Sequence, residues 1–165
     1  MTNRLLTSAD IYKALEDVKD TEINTVSGAD TGMVEDVVIE GSHITVKMLP
    51  TFLGCPALPI IQKNVEAAVK TLAYAEEVKV EFLHSPSWTS DRISEKGKAG
   101  LKAFGISPPP KHMAEDGSWH VDCPYCGSTY VTLDNIFGPT ACRSILYCRS
   151  CKNPFEAMKP MIKTM

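Results

Sequence analysis

Cys123-Pro124-Tyr125-Cys126-Gly127 and, with 21 residues between Cys126 and Cys148, Cys148-Arg149-Ser150-Cys151-Lys152-Asn153 decide the character of the last third of this chain. Two residues between paired cysteines let one tight turn aim both sulfurs at a single point. Two such turns give four thiolates in the tetrahedral array that suits Zn²⁺. Gly127 and Asn153 are assigned the left-handed backbone that such turns often use. The intervening residues then form the strands of a ribbon, with short β-like pieces at Tyr130–Leu133, Ile145–Tyr147 and Phe155–Met158. So small a piece cannot bury enough surface to fold alone, so metal binding supplies folding free energy. Four-sulfur coordination is closed, which makes the metal structural rather than catalytic. Iron held by the same thiolates is the competing reading, because ligand softness does not separate the two metals.

Working outward, the six cysteines could instead build disulfides in a secreted protein. Met1–Asp17, however, places an apolar residue every three or four positions and lacks the continuous apolar stretch of a signal peptide. The expected location is therefore the cytoplasm, where these spacings read as metal binding. No run of about 18 apolar residues exists to span a membrane. Residues 1–120 hold 12 basic and 17 acidic side chains, hence −5, and residues 121–165 hold 5 and 3, hence +2. Neither half carries the basic footprint of a nucleic-acid-binding protein.

Upstream of the ribbon, Ser8 or Thr7 caps a helix expected over Ala9–Val18, with Ile11, Ala14, Leu15 and Val18 on one face. Asp20–Asp30 reads as a loop. Met33–Glu40 and His43–Leu49 alternate apolar and polar residues about Gly41-Ser42, which predicts a β-hairpin. A helix over Pro56–Ala73 and a strand over Glu77–Leu83 follow, and the order implies that this strand lies parallel to a neighbour. A last helix is expected over Asp91–Phe104, ended by Gly105. Pro108-Pro109-Pro110 then mark a stiff connector. The fold class is α+β: a small mixed three-to-four-stranded sheet packed with helices, followed by a β-rich zinc ribbon. The expected domains are 1–107, a Pro-rich linker at 108–120, and the ribbon at 121–165.

Outside the ribbon, Cys55 stands at Gly54-Cys55-Pro56, directly before the second helix. With Pro56 at the first helical position, Cys55 becomes the N-cap, where free N–H groups and the helix dipole favour a thiolate. A reactive or metal-contacting thiol and a plain buried cap residue both fit. Asp17, Asp20 and Glu22 could join a metal beside it, or form a solvated loop with an Asx-turn. Cys142 is a small buried hydrophobe, a reactive thiol or a transient ligand. His120 and His112 read as linker histidines, His120 being a weak substitute ligand.

Asp20-Thr-Glu22-Ile23, Gly32-Met33-Val34, Thr51-Phe-Leu-Gly54-Cys55-Pro56 and Trp88-Thr89 together resemble the iron–sulfur cluster assembly family typified by SufT-like proteins. That family usually has proline where Thr21 stands. Adding Ser85-Pro-Ser-Trp88-Thr-Ser-Asp91-Arg92-Ile93, Gly100-Leu-Lys-Ala-Phe104-Gly105-Ile106-Ser-Pro-Pro109, Phe137-Gly-Pro-Thr-Ala-Cys142 and the four ribbon cysteines, the whole arrangement is similar to the PaaD family of phenylacetate degradation. The resemblance implies an accessory to the phenylacetyl-CoA epoxygenase system, whose partners are a di-iron oxygenase and a reductase with a flavin and an Fe–S cluster. Such a protein would help mature or repair those iron centres. Cys55, with Asp20 and Glu22, would touch a target, or hold iron or a transient Fe–S cluster that two chains of a homodimer could share. The chain itself lacks the Glu and Glu-x-x-His pattern of a di-iron bundle and is expected not to be an enzyme. A permanent structural subunit of the epoxygenase, docking through the ribbon and the Trp88 loop, is the second reading. A thiol-dependent enzyme using Cys55 is the third.

Overall fold

The computed structural model describes residues 5–21, 23–52, 54–72, 75–110, 116, 119–140 and 142–160. Backbone proximity divides the chain into two compact units, 1–88 and 89–165.

In the first unit α1 spans Ser8–Glu16. It starts where it does because Thr7 is extended, its hydroxyl accepts from the Asp10 amide, and the Asp10 carboxylate accepts from the Thr7 amide. At its other end Asp17 is the C-cap, its amide donating to the Ala14 carbonyl, so the helix stops two residues before the Val18 expected from periodicity. β1 (Val34–Glu40) and β2 (His43–Met48) form the expected antiparallel hairpin, its turn held by Gly41 at φ 64°. α2 covers Leu58–Lys70 and returns the chain to β3 (Glu77–Phe82), which pairs parallel with β2 from His43↔Glu77 to Met48↔Phe82. Ile44, Val46 and Met48 alternate inward on β2. They join Val78 and Val80 of β3, Ile11 and Leu15 of α1, and Val65 and Val69 of α2 in one core. Each large side chain removed from water contributes about 1.5–3 kcal/mol, and this core draws on every helix and strand of the unit.

α2 begins later than expected. Its N-cap is Ala57, no side chain caps it, and the proline of its first turn is Pro59 rather than Pro56. Residues 55–57 belong to the preceding turn, in which the Leu58 amide donates to the Cys55 carbonyl at 3.4 Å. Cys55 is therefore not the cap, and the dipole argument for its thiol loses its geometric premise.

In the second unit the helix predicted over Asp91–Phe104 is split. A single 3-10 turn at Ser90–Arg92 ends at extended Ile93, and α3 (Glu95–Phe104) restarts at Ser94, whose hydroxyl accepts from the Gly97 amide at 3.0 Å. Gly105 closes α3 at φ 95°. β4 (Ile106–Ser107) follows at once. It pairs parallel with β7 (Pro154–Met158), which lies beside β6 (Arg143–Cys148) and then β5 (Val131–Asn135), giving the order β4-β7-β6-β5. The boundary expected at 108–120 thus lies inside the second unit, and the division falls at Trp88/Thr89. Ile106 and Ser107 reach β7 through hydrogen bonds that no local pattern announces. Residues 111–115, 117 and 118 of that expected linker lie outside the described residues.

An ion pair links the two central strands of this sheet, β6 and β7. The Arg143 guanidinium meets Glu156 at 2.8 Å, and its Nε donates to the Thr140 hydroxyl at 3.0 Å. Gly138 lies flush on Arg143, where a β-carbon would stand 3.1 Å from the Arg143 backbone. Arg143→Ala should destabilise the zinc-loaded chain by about 2–3 kcal/mol in denaturant unfolding. This is below the 3–5 kcal/mol of a fully buried pair because Glu156 keeps part of its hydration. Arg143→Met with Glu156→Leu should recover most of the loss; if the double variant is no better than the single, the pair is not the cause.

Candidate metal centre

Cys123 and Cys126 sit in the turn before β5, Cys148 at the end of β6, and Cys151 in the turn to β7. Each turn closes by a backbone bond back to its first cysteine. Gly127 N–H donates to Cys123 O at 2.9 Å, and Lys152 N–H to Cys148 O at 2.9 Å. The left-handed residues are Gly127 (φ 72°) and Lys152 (φ 63°), so the second turn uses Lys152 and not Asn153. Asn153 serves the turn differently. Its carbonyl accepts from the Cys148 amide at 3.0 Å. A hydroxyl bond of 2.7 Å between Ser128 and Ser150 ties the two turns together.

These turns bring the four sulfurs within 4.8 Å of one another. The Cys123–Cys151 and Cys126–Cys148 separations are both 3.6 Å. A tetrahedron of Zn–S bonds has edges of about 3.8 Å, so the cage matches one tetrahedral ion. All four thiols are free, and the sulfurs stand far beyond disulfide bonding distance. Cys123 and Cys148 are buried in a small core with Val121, Leu146, Phe155 and Ala157.

Thiols this close cannot all ionise without a cation between them. The Asn153 side chain pulls the Cys151 thiol below its usual range. The Cys151 amide draws Cys148 down to about 6. At Cys126 the Ser128 amide lowers the thiol, but desolvation and the thiols of Cys148, Cys123 and Cys151 outweigh it and push it up to about 12. The two ends of the Cys126–Cys148 contact thus move oppositely, because one shared proton must reside on one of them. We take the proton as belonging to the cluster: metal-free, it keeps at least one, which a divalent ion displaces on binding. The donor set therefore fits a closed divalent site held by Cys123, Cys126, Cys148 and Cys151. The ion would supply cross-linking rather than reactivity.

Among the described residues, the remaining candidates form no second group of three metal ligands. Cys55 is half-buried in the turn after β2, its amide donating to Phe52 O at 3.1 Å. Asp20 makes the Asx-turn, accepting from the Ile23 amide at 3.0 Å. It also borders a small cavity between α1 and α2 that Leu15, Met33, Met48 and Val65 line and Cys55 does not. Glu22 and His112 lie outside the described residues. Among those described, no ligand group of three unites Cys55 with Asp20. Cys142 stays apart from the cluster, with its sulfur 3.1 Å from the Thr140 hydroxyl. His120 pairs with Asp122 at 3.0 Å. Trp88, expected as a docking residue, is buried and donates to Thr31 O at 2.8 Å. The sequence reading missed the Ser27–Asp30 box, in which Asp30 accepts from the Ser27 amide and Ser27 from the Asp30 amide. Its Ser-x-x-Asp spacing is the capping-box signal.

Two families match the chain. The iron–sulfur cluster assembly protein family covers residues 8–82, and the PaaD zinc beta ribbon domain covers residues 107–159. A putative 1,2-phenylacetyl-CoA epoxidase subunit of Escherichia coli is 33% identical over 151 residues, covering 91% of each chain. The Fe-S protein maturation auxiliary factor YitW of Bacillus subtilis is 35% identical over 92 residues, which is 55% of this chain and 89% of that one. Among solved structures, a domain of unknown function from Bacillus anthracis superposes with a TM-score of 0.53 at 29% identity, covering 57% of this chain and 90% of that one.

Proposed function

The chain belongs to the PaaD family of 1,2-phenylacetyl-CoA epoxidase components, and on that footing we propose that it is a non-catalytic accessory protein that helps load iron or Fe–S centres in this epoxidase system. Its clients would be the oxygenase and reductase components, and its place of work the cytoplasm. Among the described residues no helix is long and apolar enough to cross a membrane.

The observation that supports this reading most is the union of two modules in one chain. The first has the fold of Fe–S maturation factors and carries a half-buried thiol, Cys55, in a turn beside two exposed residues, Phe52 and Gly54. The second is a closed four-sulfur site whose geometry offers an ion no open position. A closed site suits a scaffold for contact with a client. Any transient iron or cluster chemistry then falls to Cys55, with zinc resident in the ribbon.

The test is the cofactor content of the reductase purified from cells with and without this chain. Cells lacking it should yield reductase with flavin intact but iron and acid-labile sulfide reduced several-fold. A fully loaded reductase from those cells defeats the proposal. The E. coli relative's designation as an epoxidase subunit favours one competing reading, that of a permanent component, and that reading requires this chain to co-purify with the oxygenase in fixed ratio.

A further inference from the structure

Around the four sulfurs lies a layer of N–H donors, and most of it is backbone. The Tyr125 amide donates to Cys123 Sγ at 3.4 Å and the Cys151 amide to Cys148 Sγ at 3.5 Å. Backbone amides of Ser128 and Ser150 act on Cys126 and Cys148. Such bonds survive any substitution that keeps the backbone N–H, that is, any but proline. Among the described residues one side chain adds to this layer. Asn153 Nδ2 donates to Cys151 Sγ at 3.4 Å and to the Cys151 carbonyl at 3.2 Å.

A carboxamide NH₂ carries two N–H donors, and here both go to one residue. One hydrogen bond fixes the backbone of Cys151 and the other fixes the direction of its sulfur. Four thiolates around a divalent ion leave a net charge of about −2, which N–H···S bonds disperse. Asn153 is exposed, so no core depends on it. Its backbone contribution, the carbonyl accepting from Cys148, is independent of its side chain. We propose that Asn153 is a positioning residue of the metal centre: its carboxamide orients Cys151 and sets how tightly the four sulfurs hold a divalent ion.

This inference rests on the four cysteines being a metal centre, and the test separates the two. The full-length chain is titrated with Co²⁺, then back-titrated with Zn²⁺ against a chromophoric chelator. Asn153→Ala should weaken Zn²⁺ binding about tenfold, the low end of what losing an outer hydrogen-bond partner costs. Asn153→Asp keeps the shape but faces the thiolate with a carboxylate, and should approach about a hundredfold. A purely structural role would also lower affinity, so the deciding readout is spectroscopic. In the saturated Co²⁺ protein, the sulfur-to-metal charge-transfer band should move to lower energy in both variants, because a sulfur without its N–H donor gives up charge more readily. Ser150→Ala, which breaks the Ser128–Ser150 bond without removing a donor to sulfur, should leave that band in place. Affinity within twofold of wild type, an unmoved band, or an equal shift in Ser150→Ala overturns the role of Asn153. A wild-type chain that takes up neither ion overturns the metal centre and this inference with it.

Discussion

Withdrawing the metal from Cys123, Cys126, Cys148 and Cys151 should unfold the ribbon and leave the first unit standing. The reason is a difference in what each unit buries. The ribbon core comprises Val121, Leu146, Phe155 and Ala157 with two cysteines. So small a core, on so short a piece of chain, does not hold a fold by itself. Binding of structural zinc supplies folding free energy that the metal-free ribbon lacks. Among the described residues, the core cluster of the first unit has ten buried apolar side chains drawn from both helices and all three strands of its sheet or the turns that lead into them. The two tryptophans report separately. Trp119 packs on the ribbon core, while Trp88 is buried and donates to Thr31. Chelation, or Cys148→Ser, should red-shift Trp119 emission in a Trp88→Phe background. Trp88 emission in a Trp119→Phe background should stay unchanged. A ribbon that keeps its near-ultraviolet circular dichroism after metal removal contradicts this account.

Replacing Cys55 with serine is expected to abolish the accessory function in cells as completely as deleting the chain, with no loss of fold. Serine differs by one atom, and the backbone bonds of the turn, Cys55 amide to Phe52 and Leu58 amide to Cys55, do not involve the sulfur. A half-exposed position of this kind should shift stability by no more than about 0.5 kcal/mol. A hydroxyl, however, is neither a soft ligand for iron nor a thiol nucleophile. The measurement is epoxidase activity in complemented deletion cells, alongside thermal unfolding of the purified variant. Full activity with Cys55→Ser removes the thiol from the mechanism. Turnover of a CoA thioester by the isolated wild-type chain would instead make the protein an enzyme.

How far these features could be read from residue order depends on how local their causes are. The ribbon cysteines were legible because spacing alone sets the geometry of a two-residue turn. The hairpin was legible because Ile44, Val46 and Met48 alternate on a strand buried on one face. The start of α2 was not, since Pro56 and Pro59 both suit a first turn and only the Cys55–Leu58 bond chooses between them. Gly127 takes the left-handed turn expected of it, whereas Lys152 holds the place assigned to Asn153 because closure to Cys148 O fixes its φ. β4 was invisible. Two residues define it, and their partners Glu156 and Ala157 lie about fifty positions away. For Asp20 the Asx-turn was legible from its place in a polar loop, and its side chain accepts from the Ile23 amide.

The brevity of β4 has a bearing on self-association. A sheet's outer strands present unpaired amides and carbonyls that invite another chain to add on, and short, irregular or charged edges discourage this. Here one side of the second sheet ends in a strand of two residues, which covers β7 but offers almost no template of its own. The opposite side ends in β5, whose regular pairing is interrupted between Leu133 and Asn135, with a carboxylate at Asp134. Leu133, Ile136 and Phe137 are exposed nearby. Backbone edges that resist growth let such apolar side chains stand in water without seeding cross-β stacking between copies of the chain.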